Sequence, residues 1–430
     1  MIIISSFVFY SPIYLYDLIT ELQTPEFSIM WPGIRLFIEP FYSFAFYALT
    51  LNRDFYKPVI ISWTLWVISV VLIYCFLNKK TVSKLLYNVV YSLTFLAAIF
   101  SFIALIPVPG PRLLKPKGCI TVDTHSHTIT SYDNVAPAII SLKAHVWQGF
   151  DVFFNTEHNH TLGFDKFPES AKFKIVYPGM QIQTNDHISI VLLSSKEFDG
   201  REYKNLNLEK TIKKAHENNM FVVIPHWWKW HKYTFEKLKD IGVDGFEIYN
   251  CGYRNFNKNE QKSLINFSKD NNLMMFGVTD WHGWGYIADV WTVVEGNLSQ
   301  NIERLFSEKP NTKVILYRRE QSDSIIRFIF EPFFFFYYYI SDTNSKYLVS
   351  FIAWIVVIFL TFRSHFLKYL KKFFALLMAV TYAAGVIYFY IITRSVADTN
   401  TIVMKSVVPV MIVLCVLWFV LWRFNGDKNL

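Results

Sequence analysis

The chain has 430 residues, 53% hydrophobic, 18% aromatic and only 18% charged, with a formal net charge of +8. That balance is too apolar for an ordinary soluble enzyme of this length and places part of the chain in lipid. The positive charge is scattered or bunched between apolar segments with no basic stripe, so no nucleic-acid partner is expected, and the four cysteines form no CxxC pair, so disulfides are not the scaffold.

In chain order, residues 1–33 begin Met1-Ile2-Ile3-Ile4 with no basic residue ahead of the apolar stretch, which argues against a secretory signal of the usual form. Pro12 interrupts 2–16, which is then expected to be interfacial. Uncharged runs at 58–77 and 85–108, and later at 347–362, 373–393 and 407–422, are long enough to predict five membrane spans. The stretch 34–47 recurs at 326–339, with Ile, Arg, Glu, Pro, two Phe and a Tyr in register, ahead of two spans each time. A duplicated membrane unit follows from this repeat. Arg35 and Glu39, four apart, can pair on one helix face, and the following proline breaks the helix, so 34–50 and 326–340 are expected as interfacial or re-entrant helices. If neither crosses, the basic loops at 78–84 and 363–372 share the cytoplasmic side. The protein is then integral to a bacterial plasma membrane with its central segment extracytoplasmic. The domains are 1–111, 112–322 and 323–430.

Within 112–322, strand-like runs fall at 119–123, 151–156, 173–177, 188–193, 221–225, 245–249 and 274–279. Helical stretches such as 136–148 and 208–218 fit between them, the alternation a parallel barrel needs. Four of these runs stop on ligand-type residues: Asp123-Thr124-His125-Ser126-His127, Thr156-Glu157-His158-Asn159, Pro225-His226 and Thr279-Asp280-Trp281-His282. At a strand end residues two apart share a face, so His125 and His127 can present both imidazoles to one ion. In barrels of parallel strands that end is where sites are built.

This ordered set resembles the polymerase and histidinol phosphatase (PHP) family of metal-dependent phosphoesterases, over roughly 115–320. The resemblance implies an α/β fold, a distorted (β/α)7 barrel, here inserted between two repeated α-helical transmembrane units. It also implies two or three divalent ions (zinc, manganese or iron) that hydrolyse phosphate esters. Carried over residue by residue, the ligands are His125, His127, Asp133, His158, His187, His226, Asp280 and His282. One departure stands out: where many members carry a bridging carboxylate, this chain has Pro178-Gly179-Met180-Gln181, and an amide cannot offset two divalent charges. The expected grouping is His125, His127, Gln181 and Asp280 on a first ion, His187 and His226 on a second, and Asp133, His158 and His282 on a third.

Asp280, His282 and Glu157 are the expected catalytic residues, Glu157 being alternatively a carboxylate that orients an imidazole. Asp123 is expected in that orienting role, while Glu247 either shares it or caps its strand. Trp227, Trp228, Trp281 and Trp284 surround the expected mouth, as a lip resting at lipid headgroups or as ordinary packing. The expected function is membrane-anchored hydrolysis of a lipid or lipid-linked phosphate ester by metal-activated water. The alternative is a catalytically weakened metal-binding sensor or transport-associated module, disabled at Gln181.

Overall fold

Each of the four runs that ends on a ligand-type residue is a strand of one sheet in the computed structural model, which describes residues 15–39, 42, 56–86, 89, 110–134, 136–227, 232–252, 257–283, 289–296, 302, 306, 311–317, 329–333 and 345–363. The strands are β1 (Tyr16–Asp17), β2 (Leu22–Gln23), β3 (Ser28–Met30), β4 (Arg112–Leu114), β5 (Cys119–Ser126), β6 (Val152–Asn155), β7 (Val176–Gln183), β8 (Ser189–Leu193), β9 (Phe221–Ile224), β10 (Gly245–Asn250), β11 (Met274–Val278), β12 (Val290–Glu295) and β13 (Thr312–Leu316). The helices are α1 (Arg35–Ile38), α2 (Tyr56–Leu77), α3 (Ala138–Gln148), α4 (Leu208–Glu217), α5 (Phe235–Asp240), α6 (Lys258–Asp270) and α7 (Ser345–Arg363).

Local sequence explains the elements around the site. Val152, Phe153 and Phe154 are apolar at successive positions and all buried, the pattern of a strand covered on both faces. In α4, Leu208, Thr211, Ile212 and Ala215 recur at helical spacing and are buried, while Asn207 caps the start by accepting the Lys210 N–H at 2.9 Å.

The expected (β/α)7 barrel is corrected to an eleven-stranded mixed sheet, in the order β11-β10-β9-β8-β7-β6-β5-β12-β13-β1-β2 among the described residues. β5, β6 and β7 run parallel, as do β9, β10 and β11, but β8 is antiparallel to both β7 and β9. Closure would need β11 to ladder onto β5. The lower half of β5, Cys119 to Val122, is already paired with antiparallel β12. Only the upper end is free to meet the chain leaving β11: the Asp280 N–H donates to the His125 carbonyl at 2.8 Å, and Ser126 bridges Trp281. The sheet is therefore open along its base and joined at the rim where the ligand-type residues stand.

The expected strand at 173–177 begins later. Phe173 is a left-handed turn residue (φ 56), and β7 starts at Val176 and continues through Pro178-Gly179 to Gln183. β1, near the N-terminus, pairs with β13 and so joins the same sheet.

The membrane assignment is also corrected. Among the described residues no helix is long and apolar enough to cross a membrane. The plasma-membrane localisation and the extracytoplasmic side are corrected with that finding, and the transmembrane units have no support among the described residues. Nearly all of 85–108, and all of 373–393 and 407–422, lie outside the described residues.

The repeat has a structural counterpart. Arg35 and Glu39 are buried and paired at 3.3 Å, with the guanidinium 4.3 Å from the Trp31 ring and 4.2 Å from Tyr347. Each copy of the repeat is held by the long helix of the other. Trp354 Nε1 of α7 donates to the Phe37 carbonyl at 2.8 Å, and Trp66 Nε1 of α2 donates to the Ile329 carbonyl at 2.6 Å. Phe37 and Ile329 occupy matching places in the repeat. The hydroxyl one turn earlier on each long helix adds a second bond, Ser350 to the Glu39 carbonyl at 3.2 Å and Ser62 to the Ile329 carbonyl at 3.3 Å.

Candidate metal centre

β5 carries His125 and His127 to the rim on one face, both fully buried. Asp280 and His226 arrive from the ends of β11 and β9 with φ of 46° each. A non-glycine residue in that left-handed region costs about 1 kcal/mol or more, a strain tolerated where the surrounding structure demands it. His125 Nε2 lies 3.1 Å from His127 Nε2, 3.4 Å from Asp280 Oδ1 and 3.2 Å from Gln181 Oε1, and His127 Nε2 lies 3.2 Å from Asp280 Oδ1.

The outer nitrogens fix which atoms face inward. His125 Nδ1–H donates to Glu247 Oε1 at 2.5 Å, and Glu247 is anchored by the His226 N–H at 3.2 Å and Asn250 Nδ2 at 3.0 Å. His127 Nδ1–H donates to Ser131 Oγ at 3.3 Å, while the Ser131 hydroxyl donates to Glu157 Oε2. His282 Nδ1–H donates to the Asp280 carbonyl at 2.7 Å. With the Nδ1 atoms of His125, His127 and His282 committed, their Nε2 atoms point among oxygens that can only accept. Both carboxylate oxygens of Asp280 are buried and accept no hydrogen bond.

Such a cage of electron pairs fits a cation. Ligand bonds near 2.1 Å set neighbouring donor atoms about 3.0–3.4 Å apart, the spacing found among His125, His127, Gln181 and Asp280. A second group adjoins it: His158 Nε2 is 3.3 Å from Asp133 Oδ1, and His282 Nε2 is 3.2 Å from Asp133 Oδ2. The His127 ring stacks on His158 at 4.4 Å and stands 4.7 Å from His282, so the groups share a wall.

The charges are mutually adjusted. Burial pushes the His125 imidazolium down, but the carboxylates of Asp280 and Glu247 outweigh it and hold its pKa up at about 9. Burial together with the imidazoles of His158, His282 and His125 keeps His127 well below its ordinary value. Burial opposes ionisation of Asp280 and Asp133, yet the imidazoles of His125 and His282 hold Asp280, and those of His282 and His158 hold Asp133, well below the usual carboxylate range. A divalent cation held by the first group would have to take the place of a proton on His125.

Not every expected residue joins. His226 lies beside the first group, its Nε2 3.8 Å from Asp280 Oδ2, and His187 is exposed in the turn between β7 and β8. Glu157 is buried with Oε1 taken by the Thr128 N–H at 3.0 Å, the Thr128 hydroxyl and Asn155 Nδ2 at 2.8 Å, so it positions the loop that carries Ser131. Asp123 orients backbone more than imidazole, accepting the N–H of Thr279 at 3.1 Å and of His125 at 3.3 Å. Trp227 and Trp281 are 4% exposed and belong to two cores, which for these two favours the alternative of ordinary packing, and Trp228 and Trp284 lie outside the described residues. Ser131, Ser189 and Asn250 were missed. Asn250 carried a signal, since it ends the run at 245–249 as the ligands end theirs; the two serines carried none.

Glu247→Gln removes the charge that holds the His125 tautomer while keeping the shape. The expected result is metal binding weakened about 10–100-fold with the fold intact, measured by competition against a chelating dye. Unchanged affinity would mean that Glu247 only ends its strand.

No family model matches the chain, and no curated protein matches it. Solved structures to which it is similar include a two-domain protein of Bacteroides vulgatus containing a predicted PHP-like metal-dependent phosphoesterase, 18% identical over 50% of this chain and 69% of that one, with a TM-score of 0.38. An amidohydrolase of Chromobacterium violaceum is 12% identical over 46% of this chain and 97% of its own, at 0.33. A lesion-specific endonuclease of Pyrococcus furiosus is 13% identical over 46% and 57%, at 0.35. At these values the chemistry rests on the chain's own donor atoms.

Proposed function

We propose that this chain is a metal-dependent phosphoric ester hydrolase of the PHP type. The observation that carries this is the cage at the rim, where the Nε2 atoms of His125 and His127 and the unbonded carboxylate of Asp280 face one another at 3.1–3.4 Å. His125, His127 and Asp280 hold one divalent ion and Asp133, His158 and His282 another, with Gln181 Oε1 turned toward the first. Divalent ions bound there supply Lewis acidity toward a phosphoryl oxygen and bring water into its nucleophilic range near neutral pH. Glu247, Ser131 and the Asp280 carbonyl keep the imidazoles in the tautomer this requires, and Glu157 acts through Ser131.

The lipid-linked substrate rested on the spans, so the proposal covers phosphate esters without that restriction. Purified full chain loaded with manganese or zinc is expected to hydrolyse p-nitrophenyl phosphate or its bis ester at least about 100-fold faster than His125→Ala. One observation favours a binding-only protein instead, the neutral amide at Gln181. Full metal loading with no hydrolysis across a broad ester panel would decide for that reading.

A further inference from the structure

We infer that this centre holds two ions and not three, and that the corner formed by Gln181, Ser189 and His226 is closed by hydrogen bonds. The inference rests on the metal-centre proposal and concerns only how many ions it takes.

The Gln181 amide has a defined orientation. Its oxygen faces His125 Nε2 at 3.2 Å, while its nitrogen stands 3.1 Å from Ser189 Oγ and 3.4 Å from His226 Nε2. An amide nitrogen has no lone pair free for a cation, and its two hydrogens occupy the space between Ser189 and His226. Among the described residues, what a third ion would need there is missing. His187, expected to pair with His226, stands exposed in a turn whose backbone is fixed by the His187 N–H donating to the Thr184 carbonyl at 2.9 Å.

Glu247 cannot substitute. Its Oε1 is 2.5 Å from His125 Nδ1, the distance of a hydrogen bond and too short for two atoms ligating one ion. Its Oε2 accepts from the His226 N–H and Asn250.

The test is elemental analysis of the purified full chain after equilibration with excess manganese or zinc and removal of free metal. Circular dichroism checks folding. Two ions per chain are expected in the wild type and in His187→Ala, which alters an exposed side chain and leaves folding untouched. Gln181→Glu combined with Ser189→His replaces the amide hydrogens by a carboxylate and an imidazole and is expected to bind a third ion. Three ions in the wild type, or loss of one in His187→Ala, would overturn the inference and leave the hydrolase proposal standing. No bound ion in the folded wild type would overturn the hydrolase proposal itself.

Discussion

Asparagine in place of Asp280 is expected to leave the chain folded, to strip it of metal, and to lower hydrolysis of p-nitrophenyl phosphate at least about 1,000-fold. The size of the effect follows from the charge available to the first group. His125, His127 and Gln181 contribute neutral donors, and the Glu247 carboxylate is spent on the Nδ1–H of His125. Asp280 is thus the carboxylate that faces the Nε2 atoms directly, at 3.2 and 3.4 Å. An isosteric amide removes that charge and turns hydrogens into the cage, so a divalent cation in the first group would have no carboxylate facing it. Elemental analysis and kcat/KM on the same preparation separate the consequences. Metal retained with the rate within tenfold of wild type would remove Asp280 from the ligand set and with it the case for the whole centre.

The site was more legible in the sequence than the sheet that carries it. Ligand-type residues at the ends of 119–126, 221–224 and 274–278 could be seen because strands place their last residues at one rim, and that rule needs no knowledge of pairing order. Pairing order was what remained hidden. Nothing periodic in Tyr16–Asp17 announces a partner at Thr312–Leu316, and β12 on the lower half of β5 is what prevents a closed barrel. Pro178-Gly179 has the look of turn punctuation, yet it lies inside β7. A Cβ on Gly179 would meet Thr156 Cγ2 at 2.7 Å and the Leu192 carbonyl at 3.0 Å, so the glycine serves close strand packing. Backbone sign was equally unreadable: Asp280 turns into the cage through left-handed φ, while His226, also left-handed, stops beside it and His187 stays outside. The tryptophans misled for a different reason. An aromatic ring beside a ligand suits a mouth or a core equally well by composition, and here Trp281 is locked among Phe150, Trp291 and Tyr317.

Removing the Asp123 side chain is expected to destabilise the fold by about 3–5 kcal/mol, the range for a buried charged group whose partners are left uncompensated. Asp123 is fully buried at the only place where β5 meets the chain leaving β11 among the described residues. Its Oδ1 accepts from the Thr279 and His125 N–H groups, and its Oδ2 accepts from the Thr279 hydroxyl at 2.5 Å and faces His145 Nε2 at 3.1 Å. His145 is itself buried, stacked on Phe153 at 3.9 Å, with Nδ1–H donating to the Ser141 carbonyl at 2.7 Å. Alanine at 123 strands all of these polar atoms in the interior. Because His125 and Asp280 hang from the two sides of this seam, metal affinity should fall with stability, while Asp123→Asn, which keeps part of the acceptor set, should fall between. A urea titration of metal-free protein measures the first effect and dye competition the second. An unchanged midpoint in Asp123→Ala would mean that the backbone bond from Asp280 to His125 holds the rim closed by itself, leaving the carboxylate no structural part in placing the ligands.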